Sequence, residues 1–355
     1  MQRLYGAWDE MIRKKLSDKN SLLSLGDRFR IYILFGVIFL FMSLFAPRFF
    51  NTYNLTTILR TVSMNVTIAL GFTIVMICGE MDLSIGRTAT FAAVIALTLQ
   101  KHLGYGLSIP IAVLAGALVG LFNGVLVAKV KINSFIVTIG TMTILQGATY
   151  TITGGNSVSL SGDTVFAISD FLAKPILPML PPRVILTILF VIMFHLFVSN
   201  SQWGRNFYMV GGNRTTAWLA GINTDRVTIT AFVLSSTMAA VGGILFAMES
   251  SAATLNMGDN SLMYVVSATI IGGTAMSGGK GGILKSVIAV LSLEMLYTGT
   301  ILFGFGNEVK IFISGLILAL VVLYEAYASY KHEKTIGQRA ELLDELAQMA
   351  ARPKV

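Results

Sequence analysis

The sequence predicts an all-α, polytopic membrane protein of about ten transmembrane helices in two weakly similar halves, both termini cytoplasmic. Three observations lead there. Only 12% of residues are charged, against about 25% in soluble domains. Hydrophobic residues make up 54% of the chain, and apolar runs near the roughly 20 residues needed to cross a bilayer recur along its length. The basic residues, finally, are divided unevenly between alternate connecting segments.

The apolar spans are 31–46, 58–78, 85–99, 107–128, 135–153, 184–199, 227–248, 261–276, 283–302 and 311–327. With the N-terminus inside and crossings alternating, 20 Lys and Arg residues fall inside and 6 outside. That asymmetry follows the positive-inside rule. The net charge of +8 therefore reads as cytoplasmic-side charge facing membrane lipid, and no nucleic-acid partner is expected. Residues 1–30 form a basic arm whose Leu4, Trp8, Met11, Ile12 and Leu16 mark one apolar face, as in an interfacial helix. They contain no apolar run of the secretory type. Residues 31–328 form the transmembrane domain, with a candidate coupling region at about 204–226. Residues 329–355 form a cytoplasmic tail. Cys78, the sole cysteine, lies in an apolar span, where it packs.

The second and third spans meet at Gly79-Glu80-Met81-Asp82-Leu83-Ser84-Ile85-Gly86. Carboxylates beside hydrocarbon are costly and persist only where they face water, protein or a partner. Asp82 and Ser84 either cap the third span or, with Glu80, form a gate or solute contact. The third and eighth spans are short, as in the discontinuous helices around transport paths. In the fourth, Ala112, Gly116, Gly120 and Gly124 make a small-residue groove for close helix contact, within the chain or between copies. Asn123 beside it bonds a neighbour or solute. The segment 154–183 holds four of the seven prolines and divides the spans into two groups. Leu121-Phe122-Asn123-Gly124 and Gly140 find faint echoes 175 residues on, at Leu296-Tyr297-Thr298-Gly299 and Gly315.

Gly204-Arg205 through Gly221 is a polar, glycine-punctuated run between two spans. Asn213 suits an N-cap and Gly221 a C′ position, so 214–220 reads as one short helix on the basic side. Such a helix gives a partner something rigid to push on. Gly272 to Gly282 looks superficially like a phosphate loop, but Lys280 is followed by Gly281, so close backbone packing is expected instead. Glu249, mid-span Glu294 and His195 are isolated ionisable groups. No zinc spacing, hydrolase elbow or nucleophile–base pair is present. Neither enzymatic activity, a cofactor nor a metal is expected.

Four stretches together carry a family resemblance: Asp82-Leu83-Ser84-Ile85-Gly86, Phe135 to Met142, Gly204-Arg205 to Gly221-Ile222, and Ile271-Gly272-Gly273-Thr274 with Ser277-Gly278-Gly279. They occur in the order found in the permease subunits of bacterial ribose/xylose/arabinose/galactoside-type ABC sugar importers, which this chain resembles. It departs from many relatives at Glu80, where they carry glycine, and at Ser261, Leu262, Met263 and Tyr264, where they carry an acidic stretch similar to Tyr-Glu-Leu-Asp. The resemblance implies a multi-pass bacterial inner-membrane permease. It also implies a second permease copy or sister permease, a cytoplasmic ATP-binding subunit and an extracytoplasmic sugar-binding protein. By position it assigns ATPase coupling to Gly211, Gly212, Asn213, Ala217 and Gly221. Glu80, Asp82, Ser84, Asn123 and Glu294 are the candidate pathway or gate residues. The alternative is a secondary transporter with an ion or proton site at Glu80, Asp82 or Glu294.

Overall fold

The computed structural model describes residues 29–160, 163–177, 179–306, 308–313, 315–320, 322–323 and 327. The tail, and the arm apart from residues 29 and 30, lie outside these residues. The apolar runs become helices: α1 Phe29–Phe45, α2 Thr52–Ile77, α3 Ile85–Ala128, α4 Ser134–Thr153, α5 Asp163–Ala173, α6 Pro182–Asn200, α7 Gln202–Gly212, α8 Arg214–Leu219, α9 Thr224–Glu249, α10 Asp259–Ile271 and α11 Ile283–Leu302. Further helical residues follow from 308. Six of these helices, namely α2, α3, α4, α6, α9 and α11, are long and apolar enough to cross a membrane.

Polar side chains start and stop these helices. Asn51, Asn133 and Asn223 accept from the second or third backbone N–H of α2, α4 and α9. Within helices, Thr67, Thr73, Thr138 and Thr149 donate to the carbonyl four residues back. Their hydroxyls thereby enter an apolar interior already satisfied.

The third and fourth expected spans are one assigned helix, α3, but its path reverses. Gly104 takes φ 66° and ψ 176°, open to glycine because it has no Cβ. Both arms of the resulting hairpin pack on α9. In the first arm, Ala89 lies so close to Gly243 that a Cβ there would overlap it. In the second, a Cβ on Gly116 would lie 2.5 Å from Ala240 Cβ, and one on Gly124 would lie 2.9 Å from Ile229 Cα. The small-residue groove of the fourth span is therefore filled by α9 of the same chain. On a third side of α9, a Cβ on Gly71 of α2 would be 2.6 Å from Ser235 Cα. So α9 is the axis of the fold. α2 is enclosed beside it, with 83% of its most apolar stretch buried.

The proline-rich segment between α4 and α6 has its own structure. Strand β1, Val158–Ser159, pairs antiparallel with β2, Ala252–Ala253, in the register Val158↔Ala253 and Ser159↔Ala252. After β1 comes α5, whose Ile168 and Leu172 pack on the small core around Ala92, Leu97 and Ile244. Three prolines near its C-terminal end concealed a helix that these apolar residues specify. By contrast, Phe135, Ile136 and Ile144 of α4 and Leu189 of α6 stay exposed. Exposed apolar side chains of this kind suit lipid or another subunit.

Candidate functional site

The coupling candidates lie on two short helices in series. Ser201 starts α7 by accepting from Gly204 N at 3.0 Å. This stretch was legible only as a polar loop, and it is helical from Gln202 to Gly212. At Asn213 the backbone becomes extended, with φ −160° and ψ 109°. The Asn213 side chain then caps α8, accepting from Thr216 N at 2.9 Å. Gly221, at φ +83°, ends α8 as expected: Ile222 N donates to Ala217 O at 3.1 Å and Gly221 N to Trp218 O at 2.9 Å. This is a Schellman motif. Ala217 is buried and seats the helix, while Trp218 and Leu219 are 65% and 72% exposed. Arg214 braces its base, reaching Asp225 at 3.1 Å and Glu80 at 3.4 Å. Lys131 joins Asp225 at 3.0 Å.

Glu80 thus belongs with the α8 elements. Burial pushes its carboxyl up from the ordinary value, opposed by Ser134 and by the Arg214 and Lys131 charges. Beside α8, glycines of three segments meet backbone to backbone: Gly79, Gly211 with Gly212, and Gly278 with Gly279. A Cβ on Gly211 would overlap Ile77 O, and that carbonyl accepts from Gly279 N at 2.8 Å. Gly278, at φ +82°, would place a Cβ 2.6 Å from Gly79 Cα. Tyr208 of α7 donates to Gly281 O at 3.1 Å. The glycine-rich segment 272–282 is the packing joint that the failed phosphate-loop match suggests. It links α7 to the end of α2 and to the α10–α11 turn.

Asp82, Ser84 and Asn123 come together in one fully buried network. Asp82 Oδ1 accepts from Ser84 N at 3.0 Å and Ser84 Oγ at 2.6 Å. Its Oδ2 accepts from Ser235 at 3.1 Å and Ser236 at 3.4 Å. Asn123 donates to Ser84 Oγ at 3.0 Å and accepts from Thr141 at 2.6 Å. Ser84 occupies the N-cap position of α3 without a side-chain cap bond, because its hydroxyl is engaged by Asp82 and Asn123. The network fixes the break between α2 and α3 against α4 and α9.

Glu294 lies elsewhere. It is 4% exposed and lines a cavity of about 400 Å³ between α2, α10, α11 and residues after 308. Asn65, Tyr264, Tyr297 and Lys310 share its wall. Close by, α10 starts at Asp259, which Arg87 holds at 2.8 Å while also donating to Leu255 O at 3.0 Å. Glu249 was legible only as an isolated acid, but it is buried between Arg60 and Arg183, tying α9 to α2 and α6.

Sequence reasoning missed Trp218 and Leu219 as the exposed face of α8. Their signal was an apolar pair inside an otherwise polar connection. It also missed Ser235 and Ser236, two adjacent hydroxyls in an apolar helix.

Residues 54–322 match the family described as branched-chain amino acid transport system / permease component. The L-arabinose transport system permease protein AraH of Escherichia coli is 30% identical, across 87% of this chain and 93% of its own length. The ribose import permease protein RbsC of Haemophilus influenzae is 29% identical, over 85% of this chain and 94% of its own. The autoinducer 2 import system permease protein LsrC of Yersinia pseudotuberculosis is 28% identical, over 85% of each chain. No solved structure matches the chain.

Proposed function

The chain belongs to the branched-chain amino acid transport system / permease component family, and on that premise we propose that it is the transmembrane subunit of an ATP-driven importer of a monosaccharide or related small polar solute. It is a transport component and not an enzyme. The full-length similarity to ribose, arabinose and autoinducer 2 permeases supports the solute class. One observation carries the energy coupling: α8 is capped at both ends, seated by buried Ala217 and braced by Arg214, yet turns Trp218 and Leu219 outward. An exposed aromatic and leucine on a rigid two-turn helix have the character of an interface anchor.

The proposed partner at α8 is a cytoplasmic ATP-binding subunit. Gly211, Gly212, Asn213, Ala217 and Gly221 shape and seat that contact. A push on α8 passes through Gly211 to the end of α2 and through Gly279 to the α10–α11 turn. Asp82, Ser84 and Asn123 serve the gate by holding the α2–α3 break, Glu80 ties that break to Arg214, and Glu294 faces the solute. About ten spans with cytoplasmic termini place α8 inside. The 20-to-6 bias of Lys and Arg supports that orientation. The remaining partners are an extracytoplasmic binding protein and a second permease copy or sister permease in the bacterial inner membrane.

The test is co-purification. The tagged full chain is expected to retain its ATP-binding subunit, and Trp218→Glu to lose it while still inserting into the membrane. Retention of the ATPase by Trp218→Glu and Leu219→Glu alike would remove α8 from the contact.

A further inference from the structure

Resting on the importer reading, we infer that the cavity lined by Glu294 and Asn65 is a solute-binding site for a neutral, hydroxyl-rich molecule. At about 400 Å³ it falls within the roughly 300–1,000 Å³ of small-molecule sites. Two of its polar atoms point to the ligand. Glu294 Oε2 and Asn65 Oδ1 are buried and have no hydrogen-bond partner among the described residues. Their residues are 4% and 9% exposed. Buried polar atoms are normally bonded, and an exception calls for an absent partner. Both orphaned atoms are acceptors, so the absent partner is a donor. Tyr264 stands beside Glu294, but its hydroxyl donates to Val290 O at 2.6 Å and leaves Oε2 unbonded.

Charge narrows the class. The cation facing Glu294 is Lys310, on the same cavity wall. With a carboxylate and an ammonium on one wall, the ammonium also standing over the Tyr297 ring, the cavity favours a ligand without strong charge of its own. The walls fit a sugar-like ring. Tyr264 and Tyr297 stand with centroids 5.3 Å apart and planes 59° from one another; Lys310 Nζ lies 5.5 Å from the Tyr297 ring centroid, so Tyr264 is the aromatic wall for C–H groups. Asn260 adds an amide to the rim, and Met263 a flexible apolar wall. Two acceptors and an aromatic wall hold such a molecule without a deep energy well, as release requires.

The experiment uses the full chain with its ATP-binding subunit in lipid nanodiscs, carrying Thr61→Cys on the cavity wall as a thiol-labelling reporter. Buried Cys78 alone is the background control. D-ribose, L-arabinose and L-leucine are the probes. Either sugar is expected to slow labelling several-fold at millimolar concentration, and leucine not to. Glu294→Ala is expected to raise the protecting concentration about tenfold, as loss of one bond to a charged acceptor does. Glu294→Gln keeps the shape and guards against misfolding, with a smaller shift. Absence of labelling, protection by leucine, no protection by sugar, or protection unchanged in both Glu294 variants overturns the assignment. No ATP is needed for protection. A permease that binds no ATPase therefore defeats the importer reading alone, and intact ATP-driven ribose uptake with Glu294 silent defeats this one alone.

Discussion

Two adjacent glycines provide the sharpest perturbation. Gly211 and Gly212 end the same helix, α7. An alanine at 211 would drive its Cβ into Ile77 O and within 2.7 Å of Gly279 N and 2.9 Å of Ile77 C. All three are backbone atoms of other segments, so none can rotate away. Around Gly212 a Cβ would meet nothing within 4 Å. Helix propensity favours alanine over glycine by up to about 1 kcal/mol, so any loss comes from the contact. Overpacking costs typically 1–3 kcal/mol, and with rigid neighbours Gly211→Ala belongs near about 3 kcal/mol. Gly212→Ala should stay within about 0.5 kcal/mol of wild type. Both glycines are candidates of the coupling region by position, and their surroundings separate them. The assay is thermal unfolding of the purified permease followed by ATP-driven uptake in proteoliposomes. Gly211→Ala should unfold earlier and transport poorly, while Gly212→Ala matches wild type on both counts. Equal unfolding temperatures and equal uptake for the two variants would refute the glycine joint.

Two further variants probe the buried polar contacts. Asp82→Ala removes the shared acceptor of Ser84 N, Ser84 Oγ, Ser235 and Ser236; stranded donors cost about 1–3 kcal/mol each, so denaturant unfolding should shift by at least about 3 kcal/mol, and an unshifted midpoint would contradict the network. Glu249→Gln leaves Arg60 and Arg183 facing each other, and breaking a buried pair costs about 3–5 kcal/mol; wild-type thermal stability in this variant would show that the pair is solvated.

The helical class was legible because apolar runs and sparse charge have no other stable arrangement in lipid. Local signals at chain breaks were equally plain. Asn213 and Gly221 bracket α8 because capping depends on a few adjacent residues. Long-range pairing was not legible. Nothing near Glu249 in sequence indicates Arg60 or Arg183, since the contact depends on how α2, α6 and α9 assemble. The stripe at Gly116, Gly120 and Gly124 announced a close neighbour without naming it, because small residues specify distance and not identity. The reversal at Gly104 was legible, because the gap between the expected spans 85–99 and 107–128 requires the chain to turn back there. Glu294 stood out as an intramembrane acid, but its cavity is assembled from residues as distant in sequence as Asn65 and Lys310.

Reconstituted uptake in proteoliposomes tests the central claim most directly. The permease, its partner permease where one is needed, its ATP-binding subunit and its binding protein are combined, and labelled ribose or arabinose accumulation is followed. The proposal predicts accumulation that requires ATP hydrolysis and disappears when Trp218→Glu replaces the wild-type chain. Accumulation by this chain alone, without nucleotide and abolished by collapsing an ion gradient, would contradict it.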